Sequence, residues 1–317
     1  MVLRRIIARS QHGESICLVD KGFNELLDIH DDNYSELFHL LSDVIKVSIA
    51  INREDFVPDD LLSEADMFVI GCPARARLSK DDIETIAKYV REGGNLLVIT
   101  DAGGDLAHQT NLNDLVAEFG MGIEYTTVRD TRNVGSAVSP VIDNINVSHS
   151  ANKNVMRLVV GGGTTLSVVW PAVPLFSTGK TSVVEQYSPN EKHPWKIVKM
   201  GENFPMAAAT LHGQGKVVVV GDVDMFSNDG EYGINSLDNG IFIKNIFSWF
   251  LAPVETSTVI DWLIARLSNL EEKFTAMSKK CDIISAENEK LKQVLKEMHA
   301  VQGKYAFVNS DSDESME

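Results

Sequence analysis

Cysteine and positive charge are both scarce in this chain, and each scarcity removes a class of function. Cys17, Cys72 and Cys281 are the three cysteines in 317 residues. They lie far apart without metal-ligand spacing, which fits free thiols in a reducing compartment better than a disulfide framework. Lys and Arg number 29 against 45 Asp and Glu, a formal net charge of −16, so polyphosphates are repelled and no nucleic-acid partner is expected. No apolar run approaches membrane-spanning length, and the start Met1-Val2-Leu3-Arg4-Arg5 lacks a secretory apolar stretch. Stable membrane insertion is therefore not expected, and a cytoplasmic location is. His12, His30, His39, His149, His193, His212 and His299 form no ligand spacing. No metal and no cofactor are expected.

What is present is a core. Hydrophobic residues make up 44%, enough for a large folded domain. Residues 15–20, 47–51, 67–71 and 95–100 read as strands, the third apolar throughout, as in a parallel sheet covered on both faces. Between them, Asn33 can cap a helix carrying Leu37, Leu40, Leu41 and Val44. Ser79 opens another, with Asp81 and Asp82 at its positive end and Ile83, Ile86, Ala87 and Val90 as its buried stripe. The alternation predicts an α/β three-layer sandwich with a mostly parallel sheet. Past Gly122 short β-like runs form a β-rich insertion, with Gly161-Gly162-Gly163 read as a tight turn. The sheet pattern returns in a hairpin about Gly213-Gln214-Gly215 and closes with an apolar helix through Ile241, Ile243, Ile246, Phe247, Trp249 and Phe250.

Residues 1–251 are thus expected to form the α/β domain, 252–256 a linker, 257–302 a coiled coil and 303–317 a disordered acidic tail. The coiled coil rests on a heptad. One core position reads Ile260, Leu267, Phe274, Cys281, Asn288, Leu295, and the other Leu263, Leu270, Met277, Ile284, Leu291, Met298. A lone Asn at such a position selects a parallel, in-register pair, so a homodimer is expected. A single amphipathic helix docked on the globular domain is the alternative.

Loops after parallel strands lie at the carboxyl edge of the sheet, where ligands and catalytic groups collect. The stretch Glu92 to Asp105 ends a helix, makes a strand and opens into Asp101-Ala102-Gly103-Gly104-Asp105. A strand–turn–helix elbow needs Ser or Cys there, and neither is present. Cys72 follows another strand, but the next residue is Pro73, which has no amide hydrogen to hold an oxyanion, and Gly71-Cys72-Pro73 lacks the elbow's second glycine. Cys72 reads as a packed loop thiol. Asp20, Asp101, Asp105, Asp222 and Asp224 also follow strands and, with Cys72, are the candidate pocket residues. They could converge as an acidic pocket for a cation, an amine or sugar hydroxyls, or simply cap helices and close turns. His108 has no nucleophile near it in sequence.

Several segments resemble a known family. They are Thr110-Asn111-Leu112-Asn113-Asp114-Leu115 with Glu118-Phe119-Gly120, the run from Thr165 through Pro171-Ala172-Val173-Pro174 to Ser177-Thr178-Gly179, Gly215 to Gly221 leading into Met225-Phe226-Ser227, and Asn245 to Phe250. In this order, over roughly residues 14–251, they resemble the GIFT domain. That domain is shared by the fifty-two-kilodalton-class intraflagellar transport subunit and a gliding-motility transporter component. The resemblance implies a class I glutamine-amidotransferase-like fold without its catalytic residues. It further implies a scaffold that binds protein partners, ciliary or flagellar if the family role is retained. The chain departs from the ciliary pattern after residue 251, where a zipper and an acidic tail stand in place of segments that hold other subunits. The reading is a non-enzymatic adaptor that pairs through its zipper. The alternative is a small-ligand-binding or weakly hydrolytic domain with an acidic pocket.

Overall fold

The computed structural model describes residues 15–253, 274, 277–281 and 283–296. The chain divides into two compact units, Met1–Val254 and Glu255–Glu317.

The first unit is built on parallel strands. β1 (Ser15–Asp20), β2 (Val47–Asn52), β3 (Met67–Gly71) and β4 (Asn95–Ile99) alternate with α1 (Ser35–His39), α2 (Asp59–Glu64) and α3 (Lys80–Arg91). Two short helices follow β4, α4 (Gly104–His108) and α5 (Leu112–Val116). A β-rich stretch comes next: β5 (Met121–Ile123), β6 (Thr126–Asp130), β7 (Val141–Ile142), β8 (Asn144–Ile145), β9 (Leu158–Val159), β10 (Leu166–Val168), β11 (Val173–Ser177), β12 (Ser182–Tyr187) and β13 (Trp195–Met200). β14 (Pro205–His212) and β15 (Gly215–Val220) form a hairpin, and α6 (Asn239–Leu251) closes the unit.

The main sheet runs β2-β1-β3-β4-β15-β14-β11-β8. Its pairs from β2 to β15 are parallel, and those from β15 to β8 antiparallel. β6, β12 and β13 make a separate antiparallel sheet. Because strand side chains alternate between faces, the central strands feed two cores. Leu18, Phe68, Ile70, Leu96, Val98, Val217 and Val219 pack with Ile86, Ala87 and Val90 of α3 and Leu112, Leu115 and Val116 of α5. Cys17, Val19, Met67, Val69, Leu97, Ile99, Val218 and Val220 pack with Phe242, Ile243, Ile246, Phe247 and Phe250 of α6. Each fully buried side chain of this kind is worth about 1.5–3 kcal/mol, so both sheet faces are covered. This is the mixed α/β architecture, with its large mostly parallel sheet, that the strand–helix alternation predicts.

Several elements differ from expectation. The helix expected from Asn33 starts earlier and breaks up. Asp31 accepts the Asn33 amide at 2.8 Å and opens a 3-10 turn, Asp32–Tyr34. After α1 the backbone widens into a π turn, Leu40–Ile45, ended by Lys46 at φ 62°. The widened turn rotates the apolar face, so Leu41 is buried while Val44 is 52% exposed. Helix α4 and strand β12 carry no sequence signal. α4 begins at Gly103-Gly104, and β12 mixes Glu185 and Gln186 with valines. In α6, Ile241 lies on the outer face rather than in the core.

In the second unit residue 274 and residues 277–281 and 283–296 are helical. Along it Phe274, Met277, Ile284, Leu291 and Leu295 are exposed, as are Cys281 and Asn288. Ile260, Leu263, Leu267, Leu270 and Met298, residues 254–256 of the linker and the tail at 303–317 lie outside the described residues.

Helix α3 owes its start to a capping box. Ser79 Oγ accepts the Asp82 amide at 3.1 Å, and the Asp82 carboxylate accepts the Ser79 amide at 2.8 Å. Asp82 also takes the Val57 amide at 2.8 Å, tying the helix to the segment before α2. Ser79→Ala should cost about 1 kcal/mol, and Asp82→Ala more, because it frees two amides; urea unfolding midpoints measure both.

Candidate functional site

Strands β1, β3, β4 and β15 run parallel, so their carboxyl ends share one edge, and the candidate residues lie there. Three of the six come together. Asp101 after β4 and Asp222 and Asp224 after β15 each place one carboxylate oxygen within 4.8 Å of the others. Asp222 is 1% exposed. Its carboxylate accepts the Gly161 amide at 2.8 Å and the Asp224 amide at 3.3 Å. No Lys or Arg pairs with any of the three among the described residues. Burial, then the Asp101 and Asp224 charges, holds the Asp222 carboxyl well above its ordinary range. Asp101 is raised to about 6 by burial, against the Ala102 amide. Asp224 is also raised to about 6, by burial and then by Asp101 and Asp229.

The glycine run that reads as a tight turn has a further role. Gly161 and Gly163 let the backbone lie directly on the carboxylates. A Cβ on Gly161 would sit 2.6 Å from Asp224 Oδ2, and one on Gly163 would sit 2.3 Å from the Gly221 carbonyl oxygen. The loop thereby delivers a backbone amide to Asp222 in place of a cationic side chain.

Cys72 stands beside the cluster with the left-handed backbone of an elbow, φ 61°. Its amide donates to the Ile99 carbonyl and its own carbonyl accepts from the Leu26 amide. The side chain is 1% exposed. Burial, then the charges of Asp101, Asp224, Glu25 and Asp105, push its thiol well above the usual range. The thiolate is the nucleophilic form, so at neutral pH this sulfur is an inert packing group, as the following proline suggests.

The remaining candidates go elsewhere. Asp105 caps α5 from a distance, its two oxygens accepting the Leu112 and Asn113 amides at 3.0 and 2.8 Å. Asp20 accepts from Asn52 Nδ2 at 2.7 Å and faces Glu25. Sequence reasoning gives no sign of Glu25, which reaches the edge through an isolated bridge to Pro73. Asp20 Oδ2 and both Glu25 carboxylate oxygens are buried with no hydrogen-bond partner among the described residues, and a proton shared by the two groups would join them. Burial first, then Asp20, raises the Glu25 carboxyl to about 9, with Lys21 opposing weakly. His108 lies half-buried after β4 with Nε2 unpartnered, its basicity lowered mainly by burial. It has no nucleophile to serve.

The family model described as the IFT52 GIFT domain matches residues 17–133. Over that stretch the chain is similar to the GIFT-domain family. It is 26% identical over 222 residues to the intraflagellar transport protein 52 homolog of Mus musculus, a match covering 62% of this chain and 47% of that protein. For the Homo sapiens homolog the figures are 24% over 221 residues, 62% and 45%. The chain thus matches about half the length of these relatives. The solved mmIFT52 N-terminal domain superposes with a TM-score of 0.62 at 21% identity, covering 76% of this chain and 100% of that one. At that identity the likeness speaks for the fold. The GIFT-domain match takes in β1 through β6 with Cys72, Asp101 and Asp105, whereas Asp222 and Asp224 lie beyond it.

A carboxyl raised by folding binds its proton more tightly in the folded state. Its contribution to stability is full below the unfolded value near 4.5 and is lost as pH rises through about 9. Glu25→Gln supplies Asp20 with an amide donor at every pH. The variant should lose less stability than the parent between pH 5 and 9, with a gain of about 1–2 kcal/mol at pH 8, roughly 2–8 °C in Tm. Thermal melts across that range measure it, and a parallel decline in the two proteins would refute the shared proton.

Proposed function

We propose that this chain is a non-enzymatic subunit of an intraflagellar-transport-type assembly, its GIFT domain binding protein partners and its C-terminal helix pairing two copies. The likeness to the IFT52 homologs over some 220 residues carries the reading. The chemistry of the edge supports it: the one cysteine in an elbow backbone is buried, protonated and followed by proline. Without a thiolate or an oxyanion donor the frame has no acyl-transfer route.

Two surfaces favour association. Strand β13 pairs with β12 alone among the described residues, and it carries Ile197, Val198 and Met200 exposed. An open edge with exposed apolar residues is suited to accept a strand from another protein. In the second unit the heptad positions Met277, Ile284, Leu291 and Leu295 stand exposed on helix, and a second copy would cover them. Asn288, one heptad position from Cys281 in the same series, would hold the pair parallel and in register.

Parallel pairing sets the two Cys281 residues opposite each other within disulfide reach. The full chain should sediment as a dimer, and a chain ending at Pro253 as a monomer. Mild oxidation should link the full chain covalently, and Cys281→Ser should abolish the link. A dimer that resists crosslinking would exclude the parallel register, and a monomeric full chain would exclude self-pairing altogether.

A further inference from the structure

Helix α6 and the π turn that follows α1 leave a groove of about 530 Å³ between them. Its apolar lining is Leu40 and Val44 on one wall and Leu237 and Ile241 on the other. Two residues of the domain that helical spacing assigns to buried stripes, Val44 and Ile241, are exposed, and both lie here. The π turn swings Val44 outward, and α6 carries Ile241 on its outer face. Leu237 adds a third exposed apolar side chain, set on a left-handed backbone at φ 44°. Three large apolar side chains gathered in one concavity have the form of a surface made to be covered. The α1 wall is also acidic, with Glu36 and Asp43, and Lys244 stands opposite. Asp43 pairs with the His39 ring at 3.1 Å, and Glu36 has no ion pair among the described residues.

The chain itself carries a segment of matching chemistry. Within residues 2–9, Leu3, Ile6 and Ile7 recur at the spacing of one helix face, and Arg4, Arg5 and Arg9 fall off that face. In a chain of net charge −16, the first fourteen residues hold these three arginines against Glu14 alone. They lie outside the described residues, but the strand they lead into starts beside the groove. Ser15, the first residue of β1, pairs with Val47, three residues beyond Val44. Successive Cα atoms are about 3.8 Å apart and paired strands about 4.8 Å apart, so Ser15 lies within about 16 Å of Val44. The six extended steps from Arg9 to Ser15 reach about 20 Å. The segment is therefore long enough to enter the groove from its Val44 end.

We propose that residues 2–9 of this chain occupy the groove between the α1 wall and α6. Leu3, Ile6 and Ile7 pack on Val44, Leu237 and Ile241, and the arginines face Glu36 and Asp43. The contact lies within one copy of the domain, and it depends neither on the transport reading nor on self-pairing.

The test compares amide hydrogen exchange in the full chain and in a chain lacking residues 2–9. Covering a surface slows the local opening that exchange requires, so residues 40–45 and 237–244 should exchange at least tenfold faster in the shortened chain. A synthetic peptide of residues 1–12 added to the shortened chain should restore the protection. The same peptide with Leu3→Ala, Ile6→Ala and Ile7→Ala should not. Val44→Asp and Ile241→Asp in the shortened chain should each weaken binding of a labelled peptide at least tenfold by fluorescence anisotropy, with circular dichroism unchanged. If the shortened chain fails to fold, the full chain carrying the same three alanines gives the comparison in its place. Equal exchange with and without the segment would overturn the placement, as would a change confined to other parts of the domain. Protection that falls on dilution of the full chain would assign the groove to a second copy and overturn it too.

Discussion

Carboxyl groups withdrawn from water without a matching cation set the terms at one edge of the sheet. Desolvation disfavours the ionised form, and it acts there on Asp222, Glu25 and the Cys72 thiol alike. The fold meets the cost with neutral donors: the Gly161 amide to Asp222 and Asn52 to Asp20. The same acidic surroundings silence the sulfur. A thiol ringed by Asp101, Asp224 and Glu25 is the electrostatic opposite of a reactive cysteine, which needs positive potential to ionise. The quiet thiol and the anionic character of this edge are thus one physical fact seen from two residues.

Residues in and near the segments that carry the family resemblance turn out to be fasteners. Asn111 bonds both backbone groups of Leu78, at 2.8 and 3.0 Å. Asn113 does the same to Ile123, at 2.7 and 3.0 Å. Asp105 caps the helix between them. Further along, fully buried Asn239 accepts from the Val159 amide and donates to the carbonyls of Val159, Tyr232 and Gly233. Such two-way amides hold loops to helices without strands. Lys216, 3% exposed, donates to the carbonyls of Trp249 and Ala252 at the end of α6, which places positive charge at the negative pole of that helix. Residues of these types specify a shape.

The strands β3 and β4 were legible because a strand buried on both faces leaves a continuous apolar run, and α3 because Ser79 and Asp82 announce its start. The hairpin about Gly213-Gln214-Gly215 was legible for the same local reason. That β15 lies against β4, from which some 115 residues separate it, was not, since pairing leaves no mark in either strand. The aspartates were visible as strand-end residues, yet which of them meet depends on that pairing. Asp222 and Asp224 join Asp101 because β15 is the neighbour of β4. Asp20, two strands away, takes Glu25 instead. Close backbone approach at Gly161 and Gly163 has the same local signature as a turn, so their contact with the carboxylates could not be read ahead.

The position of β15 bears on how the domain assembles. The edge of β4 that faces away from β3 is occupied by residues 217–220, which leave the ribosome long after β4 itself. Until they arrive, a strand apolar from Leu96 to Ile99 stands at a raw sheet margin, inviting the wrong neighbour. The stretch that the family model matches, residues 17–133, stops before that seam is filled.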